Sequence, residues 1–62
     1  MPEYRVGITI KANRDIPKKG IKKHDYGTIT HIEVLDSETY FHITMSDGKC
    51  IGPSCENCWS LL

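Results

Sequence analysis

A chain of 62 residues with eight Lys or Arg, eight Asp or Glu and a formal charge of zero has room for one domain, 1–62, around a small core. So short a chain leaves no space for the deep cleft in which enzymes and small-molecule sites are built, and its balanced charge supplies no whole-molecule field toward polyanions. No apolar run approaches the roughly 20 residues that span a bilayer, Met1-Pro2-Glu3-Tyr4 lacks the charged-then-apolar pattern of a signal peptide, and three cysteines are an odd count for a secreted disulfide framework, so a reduced, cytoplasmic protein is expected.

Tyr4 to Ala12 places Tyr4, Val6, Ile8 and Ile10 on one face and Arg5, Thr9 and Lys11 on the other, the period of two of a half-buried strand. Asn13 to Tyr26 carries Pro17, Gly20 and two Lys pairs with no amphipathic stripe. It reads as a long loop, with Ile16 and Ile21 the only aliphatic side chains able to tuck beneath it. Gly27 to Leu35 alternates again, but the phase slips between Thr30 and Glu33, which predicts a bulge. After a turn at Asp36-Ser37-Glu38, the run Tyr40 to Met45 puts Phe41, Ile43 and Met45 on one side and Tyr40, His42 and Thr44 on the other.

Asp47-Gly48 between two alternating runs is the strongest hairpin signal in the chain. Cys50 and Ile51 open the return strand, and Gly52-Pro53 is expected to end it, because proline cannot donate to a ladder. Ser54 reads as an N-cap, followed by a single 3₁₀ turn over Cys55 to Asn57. Trp59 to Leu62 then returns as a short last strand that pairs with the first. The expected core is Val6, Ile8, Ile10, Ile29, Ile32, Val34, Phe41, Ile43, Ile51, Trp59 and Leu61. Five short strands with no helix to cover their edges predict an all-β sheet closed into a small barrel.

The order of first strand, long loop, Asp25-Tyr26-Gly27-Thr28-Ile29 strand entry, Asp-Gly hairpin and 3₁₀ turn before Glu56-Asn57-Cys58-Trp59-Ser60-Leu61 resembles the SH3-like barrel superfamily over the whole chain. The Gly-Thr-Ile entry looks like that of KOW-type, ferredoxin-thioredoxin reductase variable-chain and photosystem I E-subunit-like barrels. The resemblance implies a binding domain, of a kind similar to small SH3-like proteins of bacteriophages and mobile elements. Such folds host many functions, so the site has to be argued from its own residues.

Charge is segregated along the sequence. Lys11, Arg14, Lys18, Lys19, Lys22 and Lys23 face Asp15 alone, whereas Asp25, Glu33, Asp36, Glu38, Asp47 and Glu56 face only Lys49. Such a dipole suits oriented docking of a protein partner, through a recognition loop of Arg14, Lys18, Lys19, Lys22 and Lys23 with Tyr26 as aromatic anchor. The first expectation is therefore a non-enzymatic adaptor or inhibitor-like module. The same lysines would also neutralise nucleic-acid phosphates, although only Tyr26 and Tyr40 are placed to stack bases. A solvated loop that binds nothing is the plain alternative. A polyproline groove would be thin, with Tyr4, Tyr26, Tyr40 and a core-directed Trp59.

Cys50, Cys55 and Cys58 with His42, or with His31 or His24, form a second alternative, a zinc site, because a Cys-x-x-Cys knuckle plus two ligands makes a tetrahedron. Against it, Cys50 and Cys58 also read as small buried hydrophobes, and no cofactor is expected. Thioredoxin-like chemistry at Cys55-Glu56-Asn57-Cys58 fails for want of a helix N-terminus to acidify a thiol. His31 and His42 are placed to form a cross-strand pair on a solvated face, with a modest response to pH. No nucleophile, base and oxyanion donor assemble, so no catalytic residue is assigned.

Overall fold

The computed structural model describes residues 4–62; Met1-Pro2-Glu3, read above for a targeting pattern, lies outside the described residues. Five strands form one antiparallel sheet: β1 (Thr9–Ala12), β2 (Tyr26–Leu35), β3 (Glu38–Met45), β4 (Cys50–Cys55) and β5 (Trp59–Leu61). Their spatial order is β4-β3-β2-β1-β5. Two 3₁₀ turns, η1 (Pro17–Lys19) and η2 (Glu56–Cys58), complete the elements. No helix among the described residues is long and apolar enough to cross a membrane.

The apolar alternation of β3 is realised as read: Phe41, Ile43 and Met45 are buried, while Tyr40, His42 and Thr44 take the other face. They meet Ile10, Ala12, Ile21, Ile29 and Trp59 in the core, and the Tyr4 ring packs on Phe41 with centroids 4.9 Å apart. The bulge in β2 falls between Ile29 and His31, at the predicted phase slip. It lets the ten-residue strand turn from β1 toward the β3 hairpin. Asp36 and Ser37 both have positive φ, 50° and 68°, the type I′ geometry that matches strand twist in a two-residue loop. The Asp47-Gly48 signal becomes a three-residue loop in which Gly48 N–H donates to the Met45 carbonyl at 2.9 Å and Met45 N–H to the Lys49 carbonyl at 2.6 Å.

Several expectations are corrected. Regular strand β1 begins at Thr9, not Tyr4, because the chain turns at Val6-Gly7, where Gly7 has φ of 97°. That φ is open to glycine and costly for L side chains, and the turn leaves Val6 58% exposed, outside the core. Val34 is 66% exposed because it sits beyond the bulge, paired only with Thr39 where β4 no longer covers β3. Ile8, Ile32, Ile51 and Leu61 pack at the margin of the core, and Ala12, Ile21 and Met45 fill it instead.

Gly52-Pro53 does not end β4. The pair Phe41↔Ser54 is followed by Ile43↔Ile51, so Gly52 and Pro53 together oppose His42 as a bulge, and the peptide between them is cis. Proline is tolerated here because β4 is an edge strand at a bulge, where no ladder donor is required. Ser54 is not an N-cap; Cys55 holds that place without a side-chain cap bond, and the turn covers Glu56–Cys58. The Ser54 hydroxyl is buried and accepts the Trp59 indole N–H at 2.9 Å, since both side chains point inward from opposite sides of η2. β5 pairs with β1 through Ile10↔Leu61, Lys11↔Ser60 and Ala12↔Trp59, as the sequence suggested.

Candidate functional site

The 13–25 segment between β1 and β2 is hydrogen-bonded along its length. Ile16 and Ile21 form a two-way bridge, at 2.8 and 3.1 Å, around η1, and Gly20 closes the turn in the left-handed region with its N–H on the Pro17 carbonyl at 3.1 Å. Ile21 is buried and pins the loop to the core. At the loop base, Ala12 N–H donates to the Asp25 carbonyl and His24 N–H to the Ala12 carbonyl, both at 2.8 Å.

The two acids of the loop accept backbone donors. Asp15 Oδ1 accepts the Lys23 N–H at 2.7 Å, and Asp25 Oδ2 accepts the Lys22 N–H at 2.9 Å. Lys18, Lys22 and Lys23 are exposed and Lys19 is half-buried. Among the described residues these four ammonium groups make no ion pair. Lys22 lines a shallow depression of about 280 Å³ together with Asp15, Pro17, Gly20 and Ile21.

Arg14 departs from this group. Its Nε donates to Asn13 Oδ1 at 3.2 Å and its Nη2 to the Asn57 carbonyl at 3.3 Å, and the Asn13 amide reaches the same carbonyl at 3.0 Å. The guanidinium thus ties the loop to η2. Tyr26 is half-exposed at the loop exit, in register with Lys11. Sequence reasoning missed Lys49. Its Nζ lies 2.9 Å from where a Cβ on Gly20 would sit, so the β3–β4 turn adds a cation to the loop tip. The only sequence signal was that Lys49 stands alone among acids.

The zinc candidates are not brought together. Cys50 pairs with Thr44 and Cys55 with Tyr40, four residues apart on β3, which is about 13 Å along a strand. His42 lies between them, its Nε2 2.6 Å from Glu33 Oε1. Among the described residues no three His, Cys, Asp or Glu side chains converge on a metal-sized point. Nor is Cys50 a buried hydrophobe: it is exposed, because the β4 bulge returns it to the same outer face as Cys55, and Cys58 is only half-buried. Cys55 and Cys58 do meet, Sγ to Sγ at 3.4 Å. Burial, then the neighbouring Cys55 thiol, pushes the Cys58 thiol up from its ordinary value.

His31 and His42 are cross-strand partners with ring centroids 5.2 Å apart in an edge-to-face arrangement, as the hairpin register predicts. The Tyr40 hydroxyl donates to Glu38 Oε2 at 2.8 Å, and that hydrogen bond, with the carboxylate charge, raises its pKa. Compared with protein-family models, with curated proteins and with solved structures, the chain matches none.

Proposed function

We propose that this chain is a non-enzymatic SH3-like binding module that docks an acidic protein surface through its β1–β2 loop. The observation that carries the reading is the set of four lysines that make no ion pair among the described residues, held on a hydrogen-bonded loop beside an apolar depression at Pro17 and Ile21. A pre-ordered loop loses little conformational freedom on docking, and an apolar depression on a loop that carries four lysines suits a partner whose acids lie beside an apolar patch. Lys49 extends the rim. Nucleic acid is less well served, because Tyr26 is the one aromatic residue at the loop and sequence-blind binding of single strands relies on stacking platforms.

Chain connectivity supports the barrel. β4 and β5 are opposite edges of the five-stranded sheet, yet only Glu56–Cys58 separates them. In a flat sheet the edges would stand about 19 Å apart, four strand spacings, whereas a 3₁₀ turn of this length advances about 8 Å. Curling brings the edges within that reach, and the bulges at Thr30 and at Gly52-Pro53 are the devices that bend strands.

The test is binding of a panel of acidic peptides and of random-sequence duplex DNA to the wild type and to a variant with Lys18, Lys19, Lys22 and Lys23 all changed to Ala. Exposed ion pairs contribute about 0.2–1 kcal/mol each, so the variant is expected to lose about 1–4 kcal/mol of affinity for the acidic peptides while its thermal transition is retained. Equal peptide affinities for both proteins would refute the docking reading. So would preferential binding of duplex with a log–log salt slope near about −3.6, the value for four neutralised phosphates.

A further inference from the structure

We propose that Cys55 and Cys58 form a reversible dithiol–disulfide couple, a covalent modification site at the junction of β4 and β5. Their sulfurs already touch at 3.4 Å. Cys55 is the extended residue that opens η2 and Cys58 is its last residue, so the two are three positions apart across a turn with three residues per revolution. That spacing eclipses the side chains, and a rise of about 2 Å per residue puts the Cα atoms about 6 Å apart, inside the range a disulfide spans. Closing the bond requires the sulfurs to approach by rotation about χ1, with the strands left in place. Cys50, about 13 Å along the sheet, is out of reach of both.

The two thiols are unequal, and that sets the order of events. Cys55 is exposed and lines an open depression of about 320 Å³ with Ser37, Glu38, Thr39, Glu56 and Asn57, where a small external disulfide has room to approach. Cys58 is half-buried against the core, and its thiol holds its proton more tightly than an ordinary cysteine. Cys55 as thiolate attacks one sulfur of a low-molecular-weight disulfide such as oxidised glutathione. The reagent's S–S bond breaks, one thiolate leaves, and a mixed disulfide forms at Cys55. Cys58, after losing its proton, attacks the Cys55 sulfur and expels the second thiolate. The protein loses two protons and two electrons to form one S–S bond, and the reagent is reduced to two thiols.

This is a stoichiometric couple and not an oxidoreductase site, since among the described residues neither cysteine stands at the N-terminus of an α-helix. It is independent of the partner-docking reading. Oxidation would fasten the end of β4 to the last residue of η2, next to the start of β5, across the turn whose Asn57 carbonyl receives Asn13 and Arg14.

The experiment equilibrates the full chain in glutathione buffers of graded oxidised-to-reduced ratio, then alkylates and maps the peptides by mass. The expected product has lost two hydrogens, links Cys55 to Cys58, keeps Cys50 alkylated, and returns to three free thiols in reduced buffer. Cys58→Ser is expected to accumulate a glutathione adduct at Cys55, and Cys50→Ser to oxidise as the wild type does. Separate glutathione adducts persisting on both Cys55 and Cys58 of the wild type, or a disulfide involving Cys50, would overturn the proposal. Failure of the linked product to form at any ratio would do the same.

Discussion

Replacing Ser54 by Ala tests whether the inward hydrogen bond across η2 organises the last strand. Ser54 is 5% exposed and Trp59 2%, and the indole N–H donates to the Ser54 hydroxyl at 2.9 Å. Among the described residues no buried side-chain nitrogen or oxygen lacks a partner. Removing the hydroxyl therefore creates the first orphan, a buried N–H that water does not reach, at a cost of about 1–3 kcal/mol. A 62-residue chain is expected to have a total stability of about 3–9 kcal/mol, so the loss is a large fraction of it. At about 8 °C per kcal/mol for a domain of this size, the midpoint falls by about 8–24 °C. Thermal unfolding followed by Trp59 fluorescence gives the shift in midpoint, and an unchanged slope in urea titration is evidence that the unfolded state is unaltered. Ser60→Ala is the control, because Ser60 accepts only a part-buried 3.3 Å bond from Asn13; about 0.5 kcal/mol or less is expected. A Ser54→Ala cost no larger than that of Ser60→Ala would refute the reasoning.

Two further outcomes are expected. Gly27→Ala destabilises by about 1–3 kcal/mol, because the new methyl would lie 2.5 Å from Ile43 Cγ2 and 2.9 Å from Met45 Sδ, both buried; a thermal midpoint within the error of the wild type would sink this. Alkali destabilises the chain from about pH 9 upward. Cys58 is raised from its ordinary 9.0 by burial and then by Cys55, and Tyr4 is raised from 10.0 by burial and then by Glu56. A raised folded pKa means the unfolded chain loses its proton first, so the stability these groups lend is complete below their ordinary values and is lost as pH climbs through the raised ones. Urea midpoints measured from pH 7 to pH 11 report it, and Cys58→Ser should delay the onset; a flat profile in the wild type would contradict the assignment.

Local pattern carried the strand content of this fold. Phe41, Ile43 and Met45 alternate cleanly, Asp47-Gly48 announces its hairpin, and the phase slip after Ile29 marks its bulge, because each depends on residues adjacent in the chain. The errors fall where a local rule met a tertiary exception. Pro53 breaks a strand unless the strand is an edge with a bulge to absorb it, and edge position is a property of the whole sheet. Val34 alternates correctly with its neighbours and is still exposed, since what decides its burial is whether β4 extends far enough to cover β3 opposite it. Ser54 has the composition of a cap, and only the inward turn of Trp59 gives its hydroxyl a different partner.

The candidate site divides along the same line. The cationic character of the 13–25 loop is a matter of composition and was readable, whereas the roles of its members depend on juxtapositions no local pattern contains. Arg14 reaches Asn57 across 43 residues and is drawn away from the lysines it accompanies in sequence. Lys49, which the sequence sets among acids, comes to the Gly20 tip because the β3–β4 turn folds over the loop. The three cysteines look like one cluster in the sequence, yet the strand rise of β4 separates Cys50 from the other two while the tight pitch of η2 presses Cys55 and Cys58 together. An extended strand disperses closely spaced residues and a 3₁₀ turn gathers them. The same short stretch of sequence therefore contains one isolated thiol and one dithiol, and backbone conformation, not spacing, decides which chemistry each can enter.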